Sequence, residues 1–125
     1  MPNSFRLFAG IVALSLSAMG WADSDRPAHA KGEPADTLQQ AVTNMSEYNS
    51  KLEALLAKDE LGAKDLHEVH MITYTLENAL QKIQADLEAT AEVLEEVHIA
   101  SETNKPEVVK EKGHVYLETT GTLVK

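Results

Sequence analysis

Four residues beyond the midpoint of the chain have types and spacings that suit a divalent metal ion. His67 and His70 are three positions apart, and Glu95 and His98 form a Glu-x-x-His pair. Residues three apart lie on one face of a helix, and helical bundles bind metals through imidazole and carboxylate groups. A di-iron site needs two Glu-x-x-His pairs and two further glutamates, and only one such pair is present. The alternative is that these side chains border an apolar helix surface without binding a metal.

Met45 and His114 form a second candidate pair, because methionine and histidine can ligate haem iron without cysteine. The segment 44–52, Asn-Met-Ser-Glu-Tyr-Asn-Ser-Lys-Leu, resembles the first helix of the soluble periplasmic b-type cytochromes. The resemblance implies that Met45 is one axial ligand and that His114 takes the place of that family's histidine in the last helix. The alternative is that Met45 belongs to the core, because it lies on an apolar helix face.

The composition excludes several other kinds of chemistry. The 125 residues include no cysteine, which excludes disulfide scaffolds, thiolate metal sites and covalent c-type haem. The 11 basic and 20 acidic residues give a net charge of −9, which argues against a nucleic-acid partner. No Ser-His-Asp constellation, phosphate-binding glycine loop or paired-carboxylate cleft can be placed on rigid elements. We therefore expect no enzyme activity, and no cofactor apart from the haem and metal alternatives.

The first 22 residues have the organisation of a secretory signal peptide. Arg6 precedes an apolar run over 7–16, and small residues end at Ala22, which is the order of a cleavable signal. The run is too short to span a bilayer, which takes about 20 apolar residues. We therefore expect cleavage after Ala22, in preference to an uncleaved anchor, and a periplasmic protein with no stable membrane insertion.

The remainder of the chain changes character at residue 36. Residues 23–35 contain two prolines, a glycine and no large apolar residue, and this composition predicts a disordered tail. From residue 36 onward, apolar residues recur every three or four positions, as in amphipathic helices. The sequence therefore predicts a single all-α domain over 36–125.

Three amphipathic segments divide this domain. The first has Asp36 or Thr37 available as its N-cap and ends near Lys58. The second covers about 63–103 without a glycine or proline, and the third follows Pro106. Valine, threonine and two glycines lower the helix propensity of the third segment, for which a C-terminal hairpin is the alternative.

The long second segment keeps one heptad phase for five heptads. At about 1.5 Å per residue it would be about 60 Å long, roughly twice the length of either neighbour. Ile72, Ala79, Val93 and Ala100 widen one flank of this seam, so we expect the helix to pack against more than one partner helix. The seam residues are Leu66, Val69, Thr73, Leu76, Leu80, Ile83, Leu87, Thr90, Leu94, Val97 and Ser101.

Tyr74 and Asn78 share a face of the long helix one turn apart, outside the seam. Polar groups beside a seam can set helix register when they are buried. We expect both side chains to be exposed, with interhelix contact as the alternative.

The unequal helix lengths suggest a partner, because each short helix can cover only half of the long one. Two long helices set antiparallel would give every cross-section four helices, which is a four-helix bundle. We expect an antiparallel homodimer. The alternatives are a three-helix monomer and a monomer whose long helix bends near Ala85 and Asp86. Pairing centred near Gln84 would bring His70 of one chain level with His98 of the other.

Four segments resemble a family of short exported proteobacterial proteins known only as a domain of unknown function. They are Arg-Pro-x-His-x-Lys-Gly-x-Pro-Ala-x-Thr-Leu over 26–38, Ser-Glu-Tyr-Asn over 46–49, Tyr-Thr-Leu-Glu-Asn-Ala-Leu over 74–80, and Glu-Glu-Val-His over 95–98. The resemblance implies that the mature chain is one structural unit. It implies no activity, ligand or catalytic residue.

These observations together favour a protein that acts by binding or assembly, as an adaptor, holdase or scaffold. Its expected partners are a second copy of itself and an unidentified protein. The alternative is a periplasmic helical carrier of haem or of a divalent metal.

Overall fold

The computed structural model describes residues 30–124, which form three α-helices and no strand. Helix α1 is Leu38–Leu56, α2 is Ala63–Glu102 and α3 is Pro106–Leu123. The predicted all-α fold, with one long central helix and two shorter ones, is confirmed. Helix α2 runs without interruption through Ala85 and Asp86, and the last segment is a helix instead of a hairpin.

The predicted signal peptide lies outside the described residues, as does the first part, 23–29, of the predicted tail. Within 30–124, no helix combines the length and the apolar character needed to cross a membrane. Cleavage after Ala22 and export to the periplasm therefore stay predictions.

Local sequence determines where the helices begin and end. The Thr37 side chain accepts a hydrogen bond from a backbone N–H in the first turn of α1 and caps that helix. After α2, Asn104 adopts a left-handed conformation with φ 53°, and the Lys105 N–H donates to the Ala100 carbonyl at 2.9 Å. This arrangement is a Schellman-type helix end. Pro106 then occupies the first turn of α3, where the missing N–H of proline is tolerated.

Helix α3 forms despite its low intrinsic propensity. The Thr120 hydroxyl donates to the Tyr116 carbonyl at 2.9 Å, and Lys112 reaches Glu96 of α2 at 2.8 Å. That ion pair raises the pKa of Lys112, chiefly through the side-chain hydrogen bond to Glu96. Packing against α2 therefore stabilises a helix that its own residues favour only weakly.

The two short helices lie along different halves of α2. Both pack on α2 and have little contact with each other. The start of α1, at Leu38, and the end of α3, at Thr122, meet across the middle of α2 beside Asp86 and Ala89, where they border a cleft of about 450 Å³. The predicted pair of antiparallel hairpins on a central helix is therefore confirmed.

The core of a single chain is thin. Its buried apolar residues include Leu38, Leu55 and Ile72, and the others are alanines. Helix α3 contributes no fully buried residue. Among residues 30–124, more large apolar side chains are exposed than buried. They are Leu56, Leu61, Leu66, Met71, Leu80, Leu87, Leu94, Ile99, Val115, Leu117 and Val124.

The turn between α1 and α2 is held by Asp65. Its carboxylate accepts a hydrogen bond from the Gly62 N–H at 3.0 Å and pairs with the ammonium of Lys58. The Lys58 hydrogen bond, and after it the Gly62 N–H, lower the pKa of Asp65 below its ordinary 3.8. The same pair raises the pKa of Lys58 above 10.5.

Replacing Asp65 with asparagine should therefore destabilise the protein in a pH-dependent manner. A lowered folded-state pKa means that the carboxylate stabilises the fold above its unfolded pKa, and that this contribution is lost as the pH falls through the folded pKa. We expect the melting temperature of Asp65→Asn to lie below that of the wild type at pH 7, and the difference to disappear in strong acid.

Thermal melts from pH 2 to pH 8 would measure this difference, with Asp59→Asn as the control. Asp59 is an exposed carboxylate of the same turn. A difference between Asp65→Asn and the wild type that persisted unchanged at pH 2 would contradict the assignment to the ionised pair.

Candidate functional site

An exposed row of leucines runs along α2. Leu66, Leu80, Leu87 and Leu94 occupy one heptad position and keep 45–56% of their surface exposed. We call these four residues the leucine stripe. Thr73 is the half-buried residue at the heptad position between the first two leucines. An exposed apolar row of this length on a helix is a typical interaction surface.

The middle of the leucine stripe borders a shallow apolar groove. Its volume is about 610 Å³, and it is lined by Leu80, Ile83, Gln84, Leu87, Glu88 and Ala91. The groove lies close to the midpoint of α2. A partner that packs along the stripe would therefore contact the groove at the middle of the stripe.

Only part of the predicted seam packs within one chain. Thr90 is buried, whereas Val69, Leu76, Ile83 and Val97 are half-buried. The flank expected to widen the seam supplies most of the contact instead, and its Ile72, Ala79 and Ala100 are buried. The flank thus packs against α1 and α3, and the leucine stripe remains uncovered.

One histidine lies a helical turn beyond each end leucine of the stripe. His70 follows Leu66 by four residues, and its Nε2 is 2.9 Å from the Tyr74 hydroxyl. His98 follows Leu94 by four, and its Nε2 is 3.4 Å from a carboxylate oxygen of Glu102. Both histidines are exposed and can offer ring nitrogens to a ligand.

The candidate metal ligands do not come together within one chain. His67 and His70 lie near the start of α2, and Glu95 and His98 lie near its end, about 40 Å away at 1.5 Å per residue. Among residues 30–124, no three His, Cys, Asp or Glu side chains are grouped so that they could hold a metal ion. Glu102, which the sequence analysis did not single out, is the carboxylate that lies beside His98.

The candidate haem ligands lie on the two short helices. Met45 is half-buried on α1, and His114 is exposed on α3. These helices cover different halves of α2, and neither residue lines the cleft where the helices meet. A haem ligated by both residues therefore stays a prediction.

Residues 30–36 lie across α2 as an extended strap, although the sequence predicts tail as far as residue 35. The Glu33 N–H donates to the Thr75 hydroxyl at 3.0 Å, and the Asn78 side chain donates to the Glu33 carbonyl at 3.0 Å. The Asn44 side chain of α1 donates to the Pro34 carbonyl, also at 3.0 Å. Asn78, which we expected to be exposed, is half-buried and makes an interelement contact.

The strap is a feature that sequence reasoning missed, because its partners on α2 are more than 40 residues away along the chain. The one local signal is Gly32. A Cβ atom built there would lie 2.4 Å from the Thr75 backbone nitrogen and 2.6 Å from the Tyr74 carbonyl carbon. A glycine in a polar segment thus marks a close approach between two stretches of backbone.

Replacing Gly32 with alanine should detach the strap from α2. The new methyl group cannot fit at these distances, so the two hydrogen bonds of Glu33 would break. We expect a loss of about 1–2 kcal/mol in the free energy of unfolding and at least about tenfold faster hydrogen exchange at the Glu33 amide. Exchange measured by NMR on the folded protein would test both the site and the size of the effect.

Gly121→Ala supplies the matched control, because a Cβ atom at Gly121 meets nothing within 4 Å. Alanine in that helical position should stabilise α3 by about 0.5–1 kcal/mol. If the hydrogen-exchange rate of the Glu33 amide were the same in Gly32→Ala as in the wild type, the strap would not be held as described.

Comparison with curated proteins and with solved structures finds no match. A protein-family model does match, and it covers residues 1–125. The match extends over the strap, the leucine stripe and all three helices. The chain therefore belongs to the DUF6746 family, a family of unknown function.

Proposed function

We propose that this protein is an exported assembly protein, in which two copies pair through the leucine stripe to form an antiparallel four-helix bundle. The observation that carries the proposal is the row Leu66, Leu80, Leu87 and Leu94, with each side chain about half exposed. Its acidic outer surface would then be available to a further protein partner. Adaptor, holdase and scaffold roles all use a surface of this kind.

The arrangement of the short helices supports pairing between copies. Helix α1 covers one half of α2 and α3 covers the other, so a single chain has two helices in most cross-sections. An antiparallel second copy supplies its α3 half opposite the first copy's α1 half. Every cross-section then holds four helices around a common apolar centre.

The size of the surface also fits a second copy. From residue 66 to residue 94 the stripe is about 42 Å long, and a helix contact about 10 Å wide would bury about 400 Å² on each chain. Specific protein interfaces begin near about 1,200 Å² in total. Contacts between the short helices would add to the α2 interface and bring it into that range.

Few charged side chains lie at the centre of the stripe. The protein carries a net charge of −9, so two copies repel each other at long range. Gln81, Gln84 and Ala91 are uncharged and flank the two middle leucines, and Gln84 lies at the expected twofold axis. Of the six residues that line the groove, Glu88 is the charged one, so each copy brings one carboxylate to the centre of the contact.

Native mass spectrometry of the mature protein, purified without chelator, tests the proposal in one spectrum. We expect a dimer of chains that begin at Asp23, without the mass of a haem. A monomer at all concentrations between about 1 and 100 µM would contradict self-assembly and would leave the stripe for a different protein. A stoichiometric haem mass would instead favour the carrier alternative and direct mutagenesis to Met45 and His114.

A further inference from the structure

We propose that the antiparallel dimer holds two identical divalent-cation sites, each formed by His98 and Glu102 of one copy and His70 of the other. The inference rests on the proposed function, because no single chain brings three such ligands together. It names the ligand as a divalent cation such as Zn²⁺. It also implies that binding of this cation would control assembly.

The first step is the geometry of His98 and Glu102. The His98 Nε2 and a Glu102 carboxylate oxygen are 3.4 Å apart on the surface of α2. Zinc binds histidine nitrogen and carboxylate oxygen at about 2.0–2.2 Å with tetrahedral geometry, so two of its ligand atoms lie about 3.3–3.5 Å apart. This pair is therefore already spaced as one edge of a zinc coordination tetrahedron.

The second step is the register of the dimer. If Leu80 of one copy faces Leu87 of the second copy, the twofold axis passes close to Gln84. His70 and His98 lie fourteen residues before and after Gln84. An antiparallel pair therefore places His70 of one copy level with His98 of the other, at both ends of the stripe.

The third step concerns the side of α2 on which the two histidines lie. Each histidine follows a stripe leucine by one helical turn, His70 after Leu66 and His98 after Leu94, so both lie on the same edge of the contact face. Both are exposed in a single chain. A second copy that packs on the stripe would bring a third ligand beside the His98 and Glu102 pair.

Tyr74 supports the role of His70 as that third ligand. The Tyr74 hydroxyl lies 2.9 Å from the His70 Nε2, and the two rings meet edge to face with centroids 5.0 Å apart. When Nε2 donates its proton to this hydroxyl, Nδ1 presents its lone pair. Metal-binding histidines are commonly oriented by such a partner on the other ring nitrogen.

The site would link cation binding to assembly, because each ion bridges two chains. Zn²⁺ that binds the dimer and not the monomer shifts the equilibrium toward the dimer. With free Zn²⁺ at ten times its Kd, we expect about tenfold tighter association for each ion bound. Two ions per dimer would give a change on the order of 100-fold.

Calorimetry with Zn²⁺, together with sedimentation velocity, tests the inference on the mature protein. The wild-type dimer should bind two Zn²⁺ ions, and His70→Ala and His98→Ala should each lower the affinity at least about tenfold. Glu92→Ala is the matched control, because Glu92 is an exposed carboxylate of the same helix away from the contact edge. It should bind Zn²⁺ as the wild type does.

A mixed dimer separates a shared site from one within a single chain. When His70→Ala and His98→Ala chains carry different tags and are purified as a heterodimer, one site recovers all its ligands and the other lacks both histidines. We expect one Zn²⁺ ion per mixed dimer, at wild-type affinity. Failure of mixing to restore a site would overturn the inference.

The remaining outcomes distinguish this inference from the proposed function. A wild-type dimer that binds no stoichiometric Zn²⁺ would overturn the cation sites and leave the proposed dimer intact. The same conclusion would follow if His70→Ala and His98→Ala bound Zn²⁺ as the wild type does. A protein that stays monomeric with and without Zn²⁺ would overturn both.

Discussion

Replacing Leu80 and Leu87 together with glutamine should convert the proposed dimer into a folded monomer. Both side chains are about half exposed in a single chain, so the change removes little from the fold of the monomer. In the dimer, four leucines would each lose about 1 kcal/mol of apolar burial, which amounts to about 4 kcal/mol. The dimer Kd should therefore rise about 1,000-fold, as measured by sedimentation equilibrium.

A second double variant, Met71→Gln with Ile99→Gln, is the matched control. These two side chains are also exposed apolar residues of α2, but they lie on a different face from the leucine stripe. We expect the control to retain the wild-type Kd within about threefold, and both double variants to keep the helical circular dichroism of the wild type. Equal weakening by the two double variants would show that the stripe is not the contact surface.

Replacing Ala79 with leucine should have the largest effect on the fold of the single chain. Ala79 of α2 and Ala41 of α1 have no exposed surface, and Ala79 lies in the half of α2 that α1 covers. Three added carbon atoms have no space there, so α1 must move away or adopt strained rotamers. We expect a loss of about 3 kcal/mol in the free energy of unfolding, which lowers the melting temperature by on the order of 15 °C.

Ala85→Leu provides the comparison, because Ala85 is an exposed alanine of the same helix. Its effect should stay within about 0.5 kcal/mol, as is usual for exposed positions. Both variants should be melted at the same protein concentration, since self-association makes the melting temperature depend on concentration. A wild-type melting temperature for Ala79→Leu would contradict the close packing of α1 on α2.

The two predictions address different layers of the structure. Ala79 tests the contacts within one chain, which rely on small residues and a close approach of helices. The Leu80 and Leu87 pair tests the surface that a single chain leaves uncovered. If Ala79→Leu destabilises the single chain while the leucine variants only dissociate the proposed dimer, the contacts within one chain and the contacts between copies use separate faces of α2.

The sequence predicted the helices well because their signals are local. Spacings of three and four residues, a threonine N-cap at Thr37 and a proline at Pro106 act within a few positions of the chain. For the third segment a hairpin is the alternative, because valine, threonine and glycine lower its intrinsic helix propensity. Its contacts with α2, including the Lys112 to Glu96 ion pair, favoured helix over hairpin.

The candidate site could be predicted only in part. His70 and His98 were recognisable from their shared heptad position, but Glu102 was not singled out beside His98. The strap was missed, because the contact of Gly32 with the Thr75 backbone joins segments 43 residues apart. Asn78 is polar and lies outside the seam, so the sequence predicts that it is exposed. Its actual partner, the Glu33 carbonyl, is 45 residues away along the chain.

Local sequence signals predict three helices, their order and the unequal lengths that leave each half of α2 with a single covering helix. The face of α2 that is covered depends on how the helices pack. Apolar side chains occupy the seam and its flank with the same heptad spacing. Periodicity therefore does not indicate which of these two faces is buried. The small residues Ala79 and Ala100 allow α1 and α3 to approach closely on the flank, and the larger leucines of the stripe are left exposed on the other side.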